Sequence, residues 1–376
     1  MIPVRAALVR TSAALAAIAV LLGCSDDAGA PPPGAQSPST TPASAPPAST
    51  GPVATTGPTV PPLPSTAAGP TVTAAPGTTA APGPAATGDP TTPAEPATTA
   101  RPSPTPLVDE WGRPVPPTSP GELVDRLVAV EARLRTGPLP GRDDLERLGH
   151  EHQVLVRTFT RHAEWSDEVA GRLDAAALAR LTALAAAGTA AADTLPEPLT
   201  TVPAWRIRPP LDPAVLTQLY RAAEAATGTP WEVLAAVNLV ETRMGRIVGL
   251  SSAGAQGPMQ FIPATWERYG EGGDPFDDAH AIAAAARLLA ASGAPDDLPA
   301  AVHAYNPSAA YVDSVLGYAG AVAADPWLYG ALWGWQVYLT TEPGLQWLPA
   351  GFAAPDPTPL AEVAGRLPPP VPPPPG

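Results

Sequence analysis

Apolar residues recur at helical spacing between about residues 120 and 195. The segment "GELVDRLVAVEARLRTG" places Leu123, Leu127 and Leu134 on one stripe, and "GRDDLERLGHEHQVLVRTFTRHAEWSDEVAGRL" and "DAAALARLTALAAAG" continue the pattern. We expect antiparallel helices with short loops here, the last of them ending at Gly188.

Helix start and stop signals become sharper after residue 202. In "LDPAVLTQLYRAAEAATG", Asp212 is a cap, Pro213 takes the first helical position and Gly228 marks the exit. In "TPWEVLAAVNLVE", Thr229 is the expected cap and Glu232 completes a capping box. Two consecutive helices are therefore predicted.

Two more helices and a hairpin follow. "DAHAIAAAARLLAAS" and "PSAAYVDSVLGYAGAVAA" are helical in pattern, and "GWQVYLTTEPGLQWLPAGF" alternates apolar and polar residues around a Glu-Pro-Gly turn. The proline-rich end of the chain is expected to need no fold. The fold class is thus mainly α, with a small C-terminal β-hairpin.

Composition changes the picture for the first third of the chain. The protein has 55 prolines, and from Ser25 to about Thr118 it consists mostly of Pro, Ala, Thr, Ser and Gly, with no aromatic residue before Trp111. Such a segment has too few large side chains to offset the entropy of ordering. We expect a long disordered linker with polyproline II character.

The N-terminus has the order of an export signal. Two arginines precede a short apolar run from Ala13 to Leu22, and Gly23 and Cys24 follow. "LLGC" resembles the lipobox of bacterial lipoproteins, which implies removal of residues 1–23 and a lipid on Cys24. The protein is then anchored to the outer face of the cell membrane and acts in the cell wall. The alternative is a chance cysteine in a signal peptide.

Charge and histidine spacing exclude several classes of partner. The formal net charge is -14 and no basic stripe is present, which argues against nucleic acid. His150 and His152 are two residues apart and do not share a helix face, so we expect no metal. No motif indicates a cofactor.

Glu241 is the candidate for chemistry. It lies on the last turn of the second predicted helix, at the edge of the stripe formed by Leu234 and Val237. Partial burial there raises a carboxyl pKa toward the range of a general acid, although a glutamate at a helix end is by itself usually solvated. The small residues of "GLSSAGAQGPMQF" follow, and then Trp266 and Tyr269, an aromatic pair suited to flank a sugar.

Several ordered motifs resemble a known family. "ET" at 241–242, "SSAGAQGPMQ", "DPFDDAHAIAAAARLLA" and "AYN" at 304–306 resemble the signatures of lytic transglycosylases in the lysozyme superfamily, in the form exported by high-GC Gram-positive bacteria. The resemblance covers about residues 202–322 and implies a lysozyme-like catalytic domain. It also implies peptidoglycan glycan strands as substrate, with one glutamate acting as acid and then as base. The products of such enzymes end in 1,6-anhydro-N-acetylmuramic acid.

The resemblance assigns roles residue by residue. Glu241 matches the catalytic acid/base, and the substrate-binding positions are matched by Ser251, Met259, Gln260, Tyr305 and Asn306. In this family the tyrosine hydroxyl of A-Y-N lies near the acid. Thr242 stands where serine is usual and Pro258 where leucine is usual, so the position of the neighbouring Met259 is less well specified.

Two other functions stay open at this point. A hydrolytic lysozyme of the same fold needs a second acid to place water, and Asp274, Asp277 and Asp278 lie downstream. A wall-binding lipoprotein without activity is the other. The predicted organisation is a signal peptide (1–23), a lipidated linker (24–118), a helical region (119–198), the lysozyme-like domain (199–322), a hairpin extension (323–353) and a proline-rich tail (354–376).

Overall fold

A computed structural model describes residues 108–136, 140–194 and 197–372. The predicted signal peptide, Cys24 and most of the predicted linker lie outside the described residues.

Helices dominate the described part of the chain, which confirms the mainly α fold class. In chain order they are α1 (Pro120–Arg135), α2 (Arg142–Arg161), α3 (Ser166–Arg172), α4 (Ala175–Asp193), α5 (Pro213–Thr227), α6 (Trp231–Thr242), α7 (Pro263–Tyr269), α8 (Asp278–Ala291), α9 (Leu298–Tyr305), α10 (Ala309–Ala324), α11 (Leu328–Trp333) and α12 (Leu360–Val363). Six short strands accompany them: β1 (Thr201–Val202), β2 (Arg206–Ile207), β3 (Ile247–Val248), β4 (Val337–Thr341), β5 (Gly344–Leu348) and β6 (Thr358–Pro359).

Side-chain caps set the start of several helices. Asp212 accepts a hydrogen bond from the Ala214 amide at the start of α5, and Gly228 ends this helix in the left-handed conformation, as the sequence predicts. Asp277 caps α8 and Ser308 caps α10 in the same way. These polar residues satisfy amides that have no partner inside the helix.

Two predicted helix ends are wrong. Thr229 does not cap α6: the cap position is Pro230, without a side-chain bond, and the Thr229 hydroxyl donates to the Ala286 carbonyl at 3.1 Å instead. The buried hydroxyl is thus used to tie α6 to α8. Gly188 does not end α4, because the helix continues to Asp193 and packs along α10, where a small residue fits beside the Tyr318 hydroxyl.

One hydrophobic core runs through the helical region and the following domain. Buried residues of α1, α2 and α4 belong to the same cluster as those of α5, α6, α8, α10 and α11. α4 packs on α10, and α2 packs on α11. The domain boundary predicted at residue 198 therefore does not separate two hydrophobic cores. The first four helices contribute buried residues to the same core as α6.

The predicted hairpin is present. β4 and β5 pair antiparallel, with Tyr338 opposite Trp347. Their inner faces join a second, smaller cluster that includes Trp205, Ile247 and Phe352. The hairpin therefore belongs to this smaller cluster and not to the main helical core.

The C-terminal segment is folded, contrary to the sequence prediction. β6 pairs with β1, and Val371 exchanges two backbone hydrogen bonds of 2.9 Å with Leu345 at the edge of the hairpin. The side chain of Leu367 is 1% exposed. The composition of this segment does not predict the pairing, because the partner strands lie far away in sequence. A proline-rich segment can still pair, because proline is tolerated in an edge strand.

The predicted linker also extends too far. Val108 pairs with Pro114, and Arg113 Nη1 donates to the Pro369 carbonyl at 2.6 Å. Pro114 and Pro117 are buried. Residues 108–118 therefore belong to the folded part of the chain.

Helix α4 is, among the described residues, long and apolar enough to cross a membrane by length and composition. Half of its apolar window is buried inside the protein, where it packs on α10. We interpret it as a core helix.

A close contact between α2 and the end of α11 depends on two glycines. A Cβ on Gly149 would lie 2.5 Å from both the Ala331 carbonyl oxygen and the Gly334 Cα, whereas a Cβ on Gly171 meets nothing within 4 Å. We expect Gly149→Ala to lower the free energy of unfolding by about 1–3 kcal/mol or more, because backbone has to move. Gly171→Ala is the control and is expected to be neutral or stabilising. Urea unfolding of both variants checks this, and equal midpoints would contradict it.

Candidate active site

Glu241 occupies the last turn of α6, and its side chain is only 4% exposed. The helix stops directly afterwards because Arg243, Met244 and Gly245 all take positive φ, at 56°, 60° and 79°. The buried Met244 side chain and the hydrogen bond from its amide to the Asn238 carbonyl hold this turn. The position of the carboxyl is therefore set by the end of α6, which the buried Met244 side chain and the hydrogen bond from the Met244 amide hold in place.

The carboxyl has one hydrogen-bond partner among the described residues. The Tyr311 hydroxyl donates to Glu241 Oε1 at 2.6 Å. Burial raises the pKa of Glu241 to about 8, while the bond from Tyr311 acts in the opposite direction. No basic side chain of the described segments forms an ion pair with it. The group is thus protonated at neutral pH, as a general acid has to be.

Tyr305 lies next to this pair but makes a different bond. Its hydroxyl donates to the Met259 carbonyl at 2.5 Å, and its ring is parallel to that of Tyr311, with centroids 6.4 Å apart. The charge of Glu241 contributes to a raised pKa of Tyr305, behind the larger effect of burial. The resemblance leads us to expect the Tyr305 hydroxyl near the acid, and in the structure the tyrosine hydroxyl bonded to Glu241 is that of Tyr311.

Sequence reasoning missed Tyr311. Its position could have indicated it, because Tyr311 lies three residues after the cap Ser308, on the first turn of α10. A side chain there points back over the helix start and toward the preceding segment "AYN". The resemblance directed attention to Tyr305 alone.

The loop after α6 is a tight turn. Gln256 and Phe261 exchange two backbone hydrogen bonds of 2.9 Å, closing four residues between them. Gly257 has a φ of 71°, and a Cβ there would lie 1.7 Å from the Pro275 carbonyl oxygen, so only glycine fits. Gln260 has a φ of 50°, and its side-chain amide donates to the Gly257 carbonyl at 2.9 Å. The glycine-rich stretch therefore lets two backbone segments meet.

Buried polar groups attach this loop to α6. The Pro258 carbonyl accepts hydrogen bonds from Asn238 Nδ2 at 2.8 Å and from Thr242 Oγ1 at 2.6 Å. Tyr220 donates to Asn238 Oδ1 at 2.6 Å, and Thr242 Oγ1 also accepts from the Gly245 amide. Thr242 stands where the resemblance leads us to expect serine, and it keeps the hydroxyl that these hydrogen bonds need. The loop and Glu241 are consequently held as one unit.

Met259 requires a correction. Its side chain is 0% exposed and lies in the main core, so it does not line an open cleft in this structure. The apolar thioether packs inward among the buried residues of that core. Its contribution to the site is the carbonyl that Tyr305 binds.

Two other predicted binding residues support backbone. Ser251 Oγ accepts hydrogen bonds from the amides of Ala253 and Ala255, at 3.1 and 2.9 Å. Asn306 ends α9 and is 4% exposed, and its buried Oδ1 has no partner among the described residues. Neither side chain is hydrogen-bonded to Glu241. Their roles in binding substrate stay predictions.

Aromatic rings lead from α7 to the acid. Trp266 packs edge-on against Phe261 at 5.4 Å, Phe261 packs against Tyr305 at 5.8 Å, and Tyr305 stacks on Tyr311. The predicted sugar-flanking residue Trp266 is thus connected to the acid through three intervening rings, those of Phe261, Tyr305 and Tyr311.

The three candidate second acids are engaged elsewhere. Asp274 and Asp277 accept hydrogen bonds from the amides of Phe276 and His280. Asp278 is paired with Arg208 at 2.8 Å. In the part of the chain that the structure describes, none of them is hydrogen-bonded to Glu241 or alters its pKa.

Comparison with known families agrees with this geometry. Residues 218–328 match the family model of the transglycosylase SLT domain. The match includes Glu241, the loop at 256–261 and both tyrosines, and it supports a lysozyme-like domain of the lytic transglycosylase type in this part of the chain. Searches of curated proteins and of solved structures gave no match.

Burial of Glu241 has a consequence for stability. Its folded pKa of about 8 lies above the ordinary 4.5, so the folded state holds a proton that the unfolded chain releases as pH rises between these values. The contribution of this proton to the free energy of unfolding is fully present below pH 4.5 and is lost as pH rises toward 8. We expect Glu241→Gln, which does not titrate, to gain about 3 kcal/mol over the unaltered protein between about pH 4.5 and 7.

Urea unfolding of both proteins across this pH range measures the difference. Other buried acids are common to both proteins and cancel. A difference independent of pH would mean that the carboxyl is not perturbed.

Proposed function

We propose that this protein is a peptidoglycan lytic transglycosylase that cleaves the β-1,4 bond between N-acetylmuramic acid and N-acetylglucosamine. The SLT match indicates a peptidoglycan-cleaving activity of this type. The observation that carries the finer proposal is Glu241, a buried carboxyl with a pKa of about 8 and, among the described residues, one hydrogen-bond partner.

In the first step Glu241 is the acid. The bond from Tyr311 uses Oε1, so Oε2 is available to donate its proton to the glycosidic oxygen. The bond between this oxygen and C1 of the muramoyl residue breaks, and N-acetylglucosamine leaves with a 4-hydroxyl group. Protonation of the leaving group is the contribution of a general acid, worth about 10²–10⁴ in rate.

In the second step the same residue is the base. The Glu241 carboxylate takes the proton of the muramoyl C6 hydroxyl, whose oxygen forms a bond to C1 and closes the 1,6-anhydro ring. The carboxyl is then protonated again, and no water is consumed. Tyr311 stabilises the intervening carboxylate, because hydrogen bonds to a charged group are stronger than those to a neutral one.

A single acid is sufficient for this chemistry. Hydrolytic glycosidases place two carboxyl groups roughly 5–9.5 Å apart so that one holds water or attacks the sugar. Asp274 and Asp277 bind backbone amides, and Asp278 is paired with Arg208. This arrangement favours the transglycosylase over a lysozyme.

The proposed place of action is the cell wall. The N-terminal pattern, with Cys24 after "LLG", supports export and a lipid anchor in the membrane, and the proline-rich composition that follows supports a linker that would give the folded part reach. Loss of membrane association in a Cys24→Ala variant would test this part.

Product analysis tests the proposed reaction. Purified peptidoglycan is treated with the full-length protein or with Glu241→Gln, and the soluble fragments are identified by mass spectrometry. We expect muropeptides with 1,6-anhydro ends, and a loss of about 10²–10⁴ in rate for the variant. Glu232→Gln is the control, because Glu232 lies on the first turn of the same helix, and we expect this variant to retain activity.

Each alternative has its own result. Fragments with reducing ends would assign the chain to hydrolytic lysozymes. No release by the folded, unaltered protein would favour a wall-binding function without catalysis.

Tyr311 and Tyr305 are a matched pair for a second prediction. Tyr311→Phe removes the bond that lowers the pKa of Glu241, so the alkaline decline of activity should move to higher pH. The rate should fall roughly tenfold to hundredfold, since the carboxylate formed after proton transfer loses its donor.

Tyr305→Phe keeps the aromatic ring beside Tyr311 and removes only the hydrogen bond to the Met259 carbonyl. The alkaline decline of activity in this variant should therefore stay at the same pH as in the unaltered protein. Profiles of kcat/KM against pH for the three proteins decide, and equal shifts in both variants would rule out a specific role for Tyr311.

A further inference from the structure

Three arginines lie together in the protein without an acidic partner. Arg157 on α2 and Arg243 at the end of α6 are 6% and 1% exposed, and Arg161, one turn after Arg157, is partly buried. No carboxylate of the described residues pairs with any of the three or raises its pKa. This arginine cluster is a local excess of positive charge in a chain whose formal net charge is -14.

The two buried guanidinium groups keep their charge at neutral pH. Burial lowers the pKa of Arg157 to about 10, and burial together with the charge of Arg157 lowers the pKa of Arg243 to about 9. Both values stay above 7. A charge in a protein interior is strongly destabilising unless a counter-charge and hydrogen bonds accompany it. The arginine cluster therefore favours a bound negative charge.

The hydrogen-bond donors of Arg157 are available to such a charge. None of its three guanidinium nitrogens has a hydrogen-bond partner among the described residues. Its Cζ atom lies 4.3 Å from the centroid of the Tyr338 ring, and the Tyr338 hydroxyl is engaged with His150. A cation–π contact stabilises the charge from one face of the guanidinium plane. The N–H groups within that plane therefore remain for an acceptor.

A small cavity with a volume of about 20 Å³ adjoins Arg157. Nine residues line it, among them Arg157, Arg161, Tyr338 and Val371, and none of the nine is acidic. The volume exceeds the roughly 10–15 Å³ that one water molecule needs. It therefore has room for a single particle of about that size, and its charged walls are positive.

We propose that this cavity binds one chloride ion, held by the N–H groups of Arg157 and by the charge of Arg161. Hydrogen bonds from a guanidinium to an anion are charge-assisted and stronger than bonds between neutral groups. The ion also offsets the repulsion between Arg157 and Arg243, which is weakly screened inside a protein. Arg157 and Arg161 lie outside the SLT match at 218–328, and the site is independent of the proposed reaction.

The ion links segments that are distant in sequence. Pro114 and Val371 line the cavity, and the Arg161 guanidinium also donates to the Pro372 carbonyl. Val371 in turn exchanges backbone hydrogen bonds with Leu345 of the hairpin. Binding of chloride is therefore expected to stabilise the packing of the segments around Pro114 and Val371 against α2 and the hairpin.

Urea unfolding of the full-length protein at constant ionic strength tests the proposal. Chloride is exchanged stepwise for gluconate, an anion too large for a cavity of this size. Arg157→Gln removes the buried donor, Arg161→Gln alters the partly exposed wall, and Arg206→Gln, an exposed arginine of β2, is the control. The 35Cl NMR linewidth of the same samples reports binding directly, with bromide as competitor.

We expect the unfolding midpoint to rise with chloride concentration and to saturate, as binding to the folded state alone requires. The affinity for chloride should fall about tenfold or more in Arg161→Gln, and the dependence should vanish in Arg157→Gln and persist in Arg206→Gln. In gluconate, Arg157→Gln should be at least as stable as the unaltered protein, because it no longer buries an unpaired charge.

Equal midpoints in chloride and gluconate would overturn the proposal and leave the donors of Arg157 to water. A chloride response that Arg157→Gln retains, or one that does not saturate, would overturn it as well. If Arg157→Gln does not fold, the 35Cl linewidth decides. Broadening that bromide removes and Arg161→Gln weakens supports the site, and no broadening by the unaltered protein contradicts it.

Discussion

The site depends on the removal of one carboxyl group from water. Glu241 is enclosed at the end of α6, and the Tyr311 hydroxyl is the one donor that reaches it among the described residues. Burial without a cation raises its pKa to about 8, which makes it an acid at neutral pH. A charged partner would reverse this effect, and the nearby buried Arg243 is directed away, to the Leu239 carbonyl.

The rest of the fold keeps that carboxyl group buried. Asn238 and Thr242, on the same helix as the acid, bind the Pro258 carbonyl and so fix the loop beside it. Buried residues of the first four helices belong to the same core as those of α6, and the hairpin belongs to the smaller second cluster. Segments outside the SLT match thus contribute directly to the stability of the domain that contains the site.

The sequence predicts what is local. The caps Asp212 and Gly228, the hairpin and the position of Glu241 follow from short patterns, because backbone propensity and nearby side chains decide them. Contacts between distant segments were missed. The bond from Tyr311 to Glu241 spans 70 positions, and the pairing of Val371 with Leu345 converts a proline-rich end into an edge strand. Periodicity within a segment carries no information about such partners.

A titration of Glu241 itself tests the central claim most directly. Protein labelled with 13C at the glutamate carboxyl carbons is followed by NMR from pH 3 to 10, and Glu241→Gln identifies the resonance. We expect a carboxyl that is still protonated at pH 7 and titrates near pH 8. A midpoint near the ordinary value of 4.5 would show that the carboxyl is solvated or charge-paired, and the proposed acid would lose its physical basis.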